Sequence, residues 1–435
     1  MSPVFTGLMG FLVLLVLMII GLPISASMAI VGFVGYGLLG GFSSSIRIIS
    51  LDMFSSIASY SLSVVSMFTL MGFFALHSGI GSKLYEFAYK CLGHLPGWLA
   101  IASEGACAAF GAVCGSGPAT VSTIGSIALP EMKKYKYQDS IATAAVAAGG
   151  GLGLLIPPSV TAILYGIITE QSIGKLFIGG ISAGILLMLL FMVAIYIMTK
   201  RNPELAPRGQ KFTWKERLES MSGGLFETIV IFVVSVGGLS AGWFTPTEGG
   251  AMGAFAVLVV ALARRKLSFK GFIASFSDTA KTIGMAVFLV ACATYFGRFI
   301  AISRIPSAIA AWMGGLQIPP LGVMLLILLI YLIAGCFIDA LPMIMLTVPI
   351  FYPIVVRLGY DPVWFGVIIT LVCCMGMITP PVGINVYVAK AVAVNVPLET
   401  IFKGVWPFVI CQAVCILFCT LFPGFVLFLP NLMMR

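Results

Sequence analysis

Apolar residues run along this chain in blocks long enough to cross a lipid bilayer, separated by short polar turns. A helical span needs about 20 predominantly apolar residues. Such stretches lie near 4–22, 24–40, 55–78, 139–170, 174–199, 222–242, 247–263, 272–303, 361–394 and 404–429. Two more, 96–131 and 306–356, are interrupted: the first at Gly115-Ser116-Gly117-Pro118, the second at Asp339-Ala340-Leu341-Pro342. A Gly/Pro break inside an apolar run predicts a chain that turns within the membrane. Segment 82–93 has a different period, with Leu84, Phe87, Ala88 and Cys91 on one face and charges on the other. It predicts a helix lying in the membrane interface.

Composition agrees with this pattern. Hydrophobic residues make up 60% of the 435 and charged residues only 9%, against roughly 25% charged in soluble domains. That excludes a soluble enzyme, a nucleic-acid binder, a disordered scaffold and a disulfide-built secreted module. The net charge of +9 reflects the Lys and Arg that cytoplasmic loops collect. The ten cysteines form no CxxC or Cys/His metal spacing and read as packing residues. His77 and His94 stand alone in the sequence, and no Walker-type loop exists. Neither enzymatic chemistry nor a bound cofactor is expected. Met1-Ser-Pro-Val lacks a basic n-region and predicts a retained first span.

The basic residues orient the chain. Segments 81–95, 132–138, 200–220, 264–271 and 390–403 hold 17 of the 24 Lys and Arg, and the positive-inside rule places them all in the cytoplasm. This works only if 96–131 enters and leaves from the cytoplasmic side, as a re-entrant hairpin does. Five spans separate it from 306–356, so the second hairpin opens outward. Both termini then fall on the non-cytoplasmic face.

The two hairpins also have the same sequel. Each is followed by a short turn and a long apolar stretch broken by Pro-Pro: Pro157-Pro158-Ser159 and Thr379-Pro380-Pro381-Val382-Gly383. The tip-to-Pro-Pro separation is 39 residues in one case (118 to 157) and 38 in the other (342 to 380). Matched breaks in halves of opposite topology point to the binding site of a secondary transporter. The predicted fold is an all-α polytopic membrane protein, an inverted repeat with two re-entrant helical hairpins and two Pro-Pro-broken helices. Its divisions would be 1–95 (scaffold helices and interfacial arm), 96–170 (first transport repeat), 171–305 (connecting and scaffold helices), 306–395 (second transport repeat) and 396–435 (C-terminal scaffold helix).

These residues resemble a known family. Cys114-Gly-Ser-Gly-Pro-Ala-Thr120, Gly125-Ser-Ile-Ala-Leu-Pro130, Gly149 to Ser159 and Thr379-Pro-Pro-Val-Gly-Ile-Asn385 are similar to motifs of the large membrane subunit of tripartite ATP-independent periplasmic (TRAP) transporters. The resemblance covers essentially the whole chain. It implies sodium-driven, elevator-type import of an organic acid, of the sialic acid or C4-dicarboxylate class, across a bacterial inner membrane. It also implies two partners, a small four-helix membrane subunit and a soluble periplasmic substrate-binding protein. A self-sufficient sodium/carboxylate symporter is the alternative.

Sodium prefers oxygen ligands, and the breaks supply them. The candidates are Ser103, Gly115, Ser116, Gly117, Pro157 and Ser159 in the first half, with Asp339, Thr379, Pro380 and Gly383 in the second. Asp339 is the sharpest, with 17 uncharged residues on either side. An ionised Asp at mid-membrane costs about 2.5–3.5 kcal/mol on insertion scales, so it needs a cation or a proton. Serine and threonine hydroxyls have the competing option of bonding their own helix. Thr161, Arg298 and Asn385 are the candidates for substrate. Arg298 either clamps a carboxylate or snorkels to the interface, and Asn385 either orients substrate or joins helices. Glu104 is expected to pair with a basic residue or to face a partner subunit. Glu248, just after Pro246, reads as a helix-start carboxylate.

Overall fold

The chain folds as α-helices joined by short turns, without strands among the described residues. A computed structural model describes residues 2–207, 212–220, 224–308 and 319–434. The central part of the expected 200–220 loop and the stretch 309–318 of the second hairpin segment lie outside them. In chain order the helices are α1 (Pro3–Ile19), α2 (Ile24–Gly40), α3 (Phe42–Ile57), α4 (Ser63–Ser78) and α5 (Ile80–Leu92). The first repeat follows as α6 (Trp98–Cys114), α7 (Gly117–Lys134), α8 (Asp139–Leu155) and α9 (Val160–Thr169). Next come α10 (Ile173–Arg201), α11 (Trp214–Ser220), α12 (Phe226–Ser240), α13 (Pro246–Ala263) and α14 (Phe269–Ile302). The second repeat is α15 (Pro320–Gly335), α16 (Ala340–Arg357), α17 (Pro362–Gly376) and α18 (Ile384–Val392), and α19 (Leu398–Leu421) and α20 (Pro423–Met433) close the chain. Seven described helices are long and apolar enough to cross a membrane.

The two repeats match helix for helix. α7 and α16 begin 223 residues apart (117 and 340), as do α8 and α17 (139 and 362). Close backbone crossings recur with the same spacing. A Cβ on Gly153 (α8) would fall 3.1 Å from the Ser116 carbonyl oxygen, and one on Gly111 (α6) would strike the Gly153 backbone. One on Gly376 (α17) would fall 2.5 Å from the Gly335 (α15) carbonyl carbon. Only glycine lets the first arm of each hairpin lie this close to its broken helix. The packing between repeats is reciprocal: α9 lies on α16, and α18 on α7. Tyr165 of α9 meets Tyr352 of α16 edge to face, with ring centroids 6.4 Å apart.

Several boundaries differ from the sequence reading. α3 was not expected as a helix, because its serines, Arg47 and Asp52 interrupt the apolar pattern. The stretch 404–429 is two helices, parted at Phe422-Pro423, where the proline cannot continue the hydrogen-bond ladder. Helix α5, expected to lie in the interface, buries Leu84 and Ala88 of its expected apolar face and leaves Phe87 and Cys91 half-buried, and it also buries Ile80 and Tyr85 and packs on α6. The segment 396–435, expected as scaffold, has its main contacts with α8, α10 and α17, alongside the repeats. Helices α2, α3, α4, α13 and α14 pack mainly on one another, α14 on α2, α3 and α4, and α13 on α4, while α4 also meets α6 and α9 and α14 meets α16.

Helix starts follow their capping residues. Thr245 and Glu248 form a capping box ahead of α13, the role expected of Glu248. Asp361 accepts from the Val363 and Trp364 amides at the start of α17. All ten cysteines are free.

Candidate functional site

Both hairpin tips open onto one cavity of about 690 Å³. Three helices start at its wall. The Gly117-Pro118-Ala119 turn of α7, the Val160-Thr161 start of α9 and the Ala340-Leu341-Pro342 turn of α16 all line it. The first amides of a helix have no partner within the helix, and the helix dipole makes that end favourable to negative charge. The starts of α7 and α9 favour an anion, whereas at α16 the Ala340 amide is already taken by Asp339 and Pro342 has no N–H to offer. The opposite wall comes from α4 and α14 and is mainly apolar, with Phe73, Leu76, Met285, Phe288 and Leu289.

The first tip is built for close approach. Gly115 has φ +69°, and a Cβ there would strike the Pro158 carbonyl oxygen. Glycine is therefore required both by the backbone conformation and by the contact. On the facing layer, a Cβ on Gly72 of α4 would sit 2.7 Å from the Cys114 carbonyl oxygen. Ser116 occupies the N-cap position of α7 without a side-chain capping bond, and its carbonyl accepts from the Thr120 hydroxyl at 2.7 Å. The second tip carries Asp339 at the N-cap of α16, where Oδ1 accepts from the Ala340 amide at 2.8 Å. The second break meets its own tip, the Val382 amide donating to the Cys336 carbonyl at 3.3 Å. The Pro157-Pro158 and Pro380-Pro381 peptides are both cis.

The cavity collects five of the sequence candidates: Gly115, Ser116, Gly117, Asp339 and Thr161. The Thr161 hydroxyl is fully buried and has no partner. Ser159 is buried just behind, its hydroxyl accepting from the Ala162 amide at 3.2 Å. The remaining candidates stand farther off. The Ser103 hydroxyl donates to the Leu99 carbonyl at 2.9 Å, within its own helix and about three turns before the tip. Thr379 does the same, donating to the Met375 carbonyl at 2.6 Å. Pro157, Pro380 and Gly383 belong to the two breaks but not to the cavity wall.

Arg298 is not brought to the cavity. Its Nε donates to Asp52 Oδ2 at 2.6 Å, tying α14 to α3, so the carboxylate it holds is the protein's own. Asn385 is fully buried behind the first tip, where Nδ2 donates to the Ala147 carbonyl at 3.2 Å and Oδ1 has no partner. Among the described residues Glu104 has no basic partner. It is fully buried against α8, with neither oxygen hydrogen-bonded. His77 Nε2 lies 3.9 Å from Asp278 Oδ2, and no group of three or more His, Cys, Asp or Glu suited to a metal forms among the described residues. Thr69 of α4 escaped sequence reasoning. It lines the cavity, and its hydroxyl is buried without a hydrogen-bond partner among the described residues, yet a lone threonine in an apolar helix carries no local signal.

Residues 11–425 match the family model of the tripartite ATP-independent periplasmic transporter, DctM component. The chain belongs to this family. It is 35% identical to the C4-dicarboxylate TRAP transporter large permease protein DctM of Pseudomonas aeruginosa, over 89% of this chain and 90% of that one. It is 30% identical to the sialic acid TRAP transporter large permease protein SiaM of Vibrio cholerae, over 96% of each. Among solved structures, the Alcanivorax borkumensis YdaH transporter shares the fold, with a TM-score of 0.64, 15% identity and coverage of 92% of this chain and 97% of that one. The chain is thus a TRAP transporter large permease, a multi-pass membrane protein and not an enzyme.

Proposed function

We propose that this permease couples inward sodium movement to import of an organic anion across the bacterial inner membrane. The observation that carries the reading is the convergence of three helix starts and the Asp339 carboxylate on one cavity. Helix N-termini favour the anion. Asp339 opposes it, and a carboxylate at membrane depth needs a counter-charge. A bound sodium ion removes both difficulties, so cation and anion favour each other's binding. Ser116 and its carbonyl, Ser159 and the backbone of the two breaks would supply further oxygen ligands.

The hairpins and broken helices would move as one body past the layer containing α4 and α14, an elevator-type motion. Both termini would face the periplasm. A soluble binding protein would deliver substrate there, and a small membrane subunit would hold the scaffold in lipid. The coupling is tested with the reconstituted transporter and radioactive sodium. Adding the transported acid outside should accelerate sodium entry, and adding sodium should accelerate entry of the acid. Acid uptake with no accompanying sodium flux would contradict the reading.

A further inference from the structure

The cavity is chemically one-sided, and this restricts what it can carry. At one end are the three helix starts, Ser116 and the unpartnered Thr161 hydroxyl. Across from them the wall presents Phe73, Leu76, Met285, Phe288 and Leu289, with Ser25, Thr69 and Thr282 as its polar side chains, the Thr282 hydroxyl already donating to the Asp278 carbonyl. Among the described residues no lysine, arginine or histidine lines the cavity, and Asp339 is the one charged side chain there. Arg298 is already engaged by Asp52.

We propose that the transported substrate is an amphipathic monoanion: one carboxylate, at most an uncharged hydroxyl or carbonyl oxygen beside it, and an apolar body. This rests on the organic-anion reading above and narrows it. The carboxylate takes the helix starts, and the Thr161 hydroxyl beside them is the group offered to the neighbouring oxygen. The apolar body lies on the α4 and α14 wall. A second carboxylate would be pressed against that wall without a cation, and a buried charge without a partner is strongly disfavoured. A polyhydroxylated sugar acid would leave most of its hydroxyls unmet there, at a cost for each.

The test is sodium-dependent thermal stabilisation of the full chain, purified with its small membrane subunit. The probes are 4-methyl-2-oxopentanoate, phenylpyruvate, succinate and N-acetylneuraminate. In sodium, the two apolar monocarboxylates should bind at least tenfold more tightly than succinate or N-acetylneuraminate. A second variant places a cation on the apolar wall. Met285 lines this wall at the middle of α14, where an uncompensated lysine is costly, so Met285→Lys is compared at matched folded yield and should move the preference at least tenfold towards succinate, with the uncharged Met285→Gln moving it in the same direction by less. Equal or tighter wild-type binding of succinate or N-acetylneuraminate would overturn the substrate class and leave the sodium-coupled reading standing. An unchanged preference in Met285→Lys would also overturn it, because the wall would then not touch the substrate. Stabilisation by these acids that ignores sodium would overturn the coupling reading instead.

Discussion

At the residue scale, the account turns on Asp339. Replacing it by Asn keeps the shape and the bond from the Ala340 amide and removes the charge proposed to hold sodium. Losing a charged ligand in a poorly solvated site is expected to weaken ion binding by a few kcal/mol. Uptake by Asp339→Asn should therefore collapse at ordinary sodium and recover in part at very high sodium, while the yield of folded protein holds. The matched control is Asp361→Asn. Asp361 only caps α17, and Asn caps a helix about as well as Asp, so uptake should stay near normal. Arg298 offers a second test. Asp52 is almost wholly buried and Arg298 half-exposed, so Arg298→Met strands a buried carboxylate, which destabilises the protein. Folded yield and thermal stability should fall in Arg298→Met and recover when Asp52→Asn is added. If the double variant is stable but transports nothing, Arg298 acts on the substrate after all.

At the element scale, the matched halves depend on glycines at two backbone crossings. A Cβ on Gly376 would meet the Gly335 backbone, and one on Gly153 the β-branched Thr120 side chain, held in place by its bond to the Ser116 carbonyl. Gly153→Val and Gly376→Val should each lower stability by about 1–3 kcal/mol, the usual cost of overpacking a tight contact, read as a drop in melting temperature of the detergent-purified protein. Gly359, with open space around it but φ +82°, separates backbone strain from crowding, and its alanine variant should lose less. These elements were legible in the sequence where a break in an apolar run coincided with Gly or Pro: both tips, both Pro-Pro breaks and their matched spacing. The division at Phe422-Pro423 was missed, because one proline at the end of an apolar run also suits a continuous span. α3 was missed for the opposite reason. Its buried polar groups are satisfied by partners distant in sequence, such as Tyr295 for Ser45 and Arg298 for Asp52, which no local pattern reveals. For the same reason the sequence placed Ser116, Thr161 and Asp339 at a common site but not Thr69, which joins them only through the packing of α4.

For the whole molecule, the reading requires one sidedness. It would put α11 and the turns carrying most Lys and Arg in the cytoplasm, and the Trp243 turn before α13 in the periplasm. In a cysteine-free background, Lys215→Cys should resist an impermeant thiol reagent in spheroplasts and Trp243→Cys should react; the reverse would exchange the sides of both hairpins. The central claim, that the energy for transport comes from sodium, is tested most directly in proteoliposomes holding the complete three-component transporter. With an inward sodium gradient and no nucleotide, uptake of the organic acid should be rapid and should stop when an ionophore dissipates the gradient. With ATP supplied but sodium absent on both sides, uptake should stay at background. Full uptake without sodium would contradict the account.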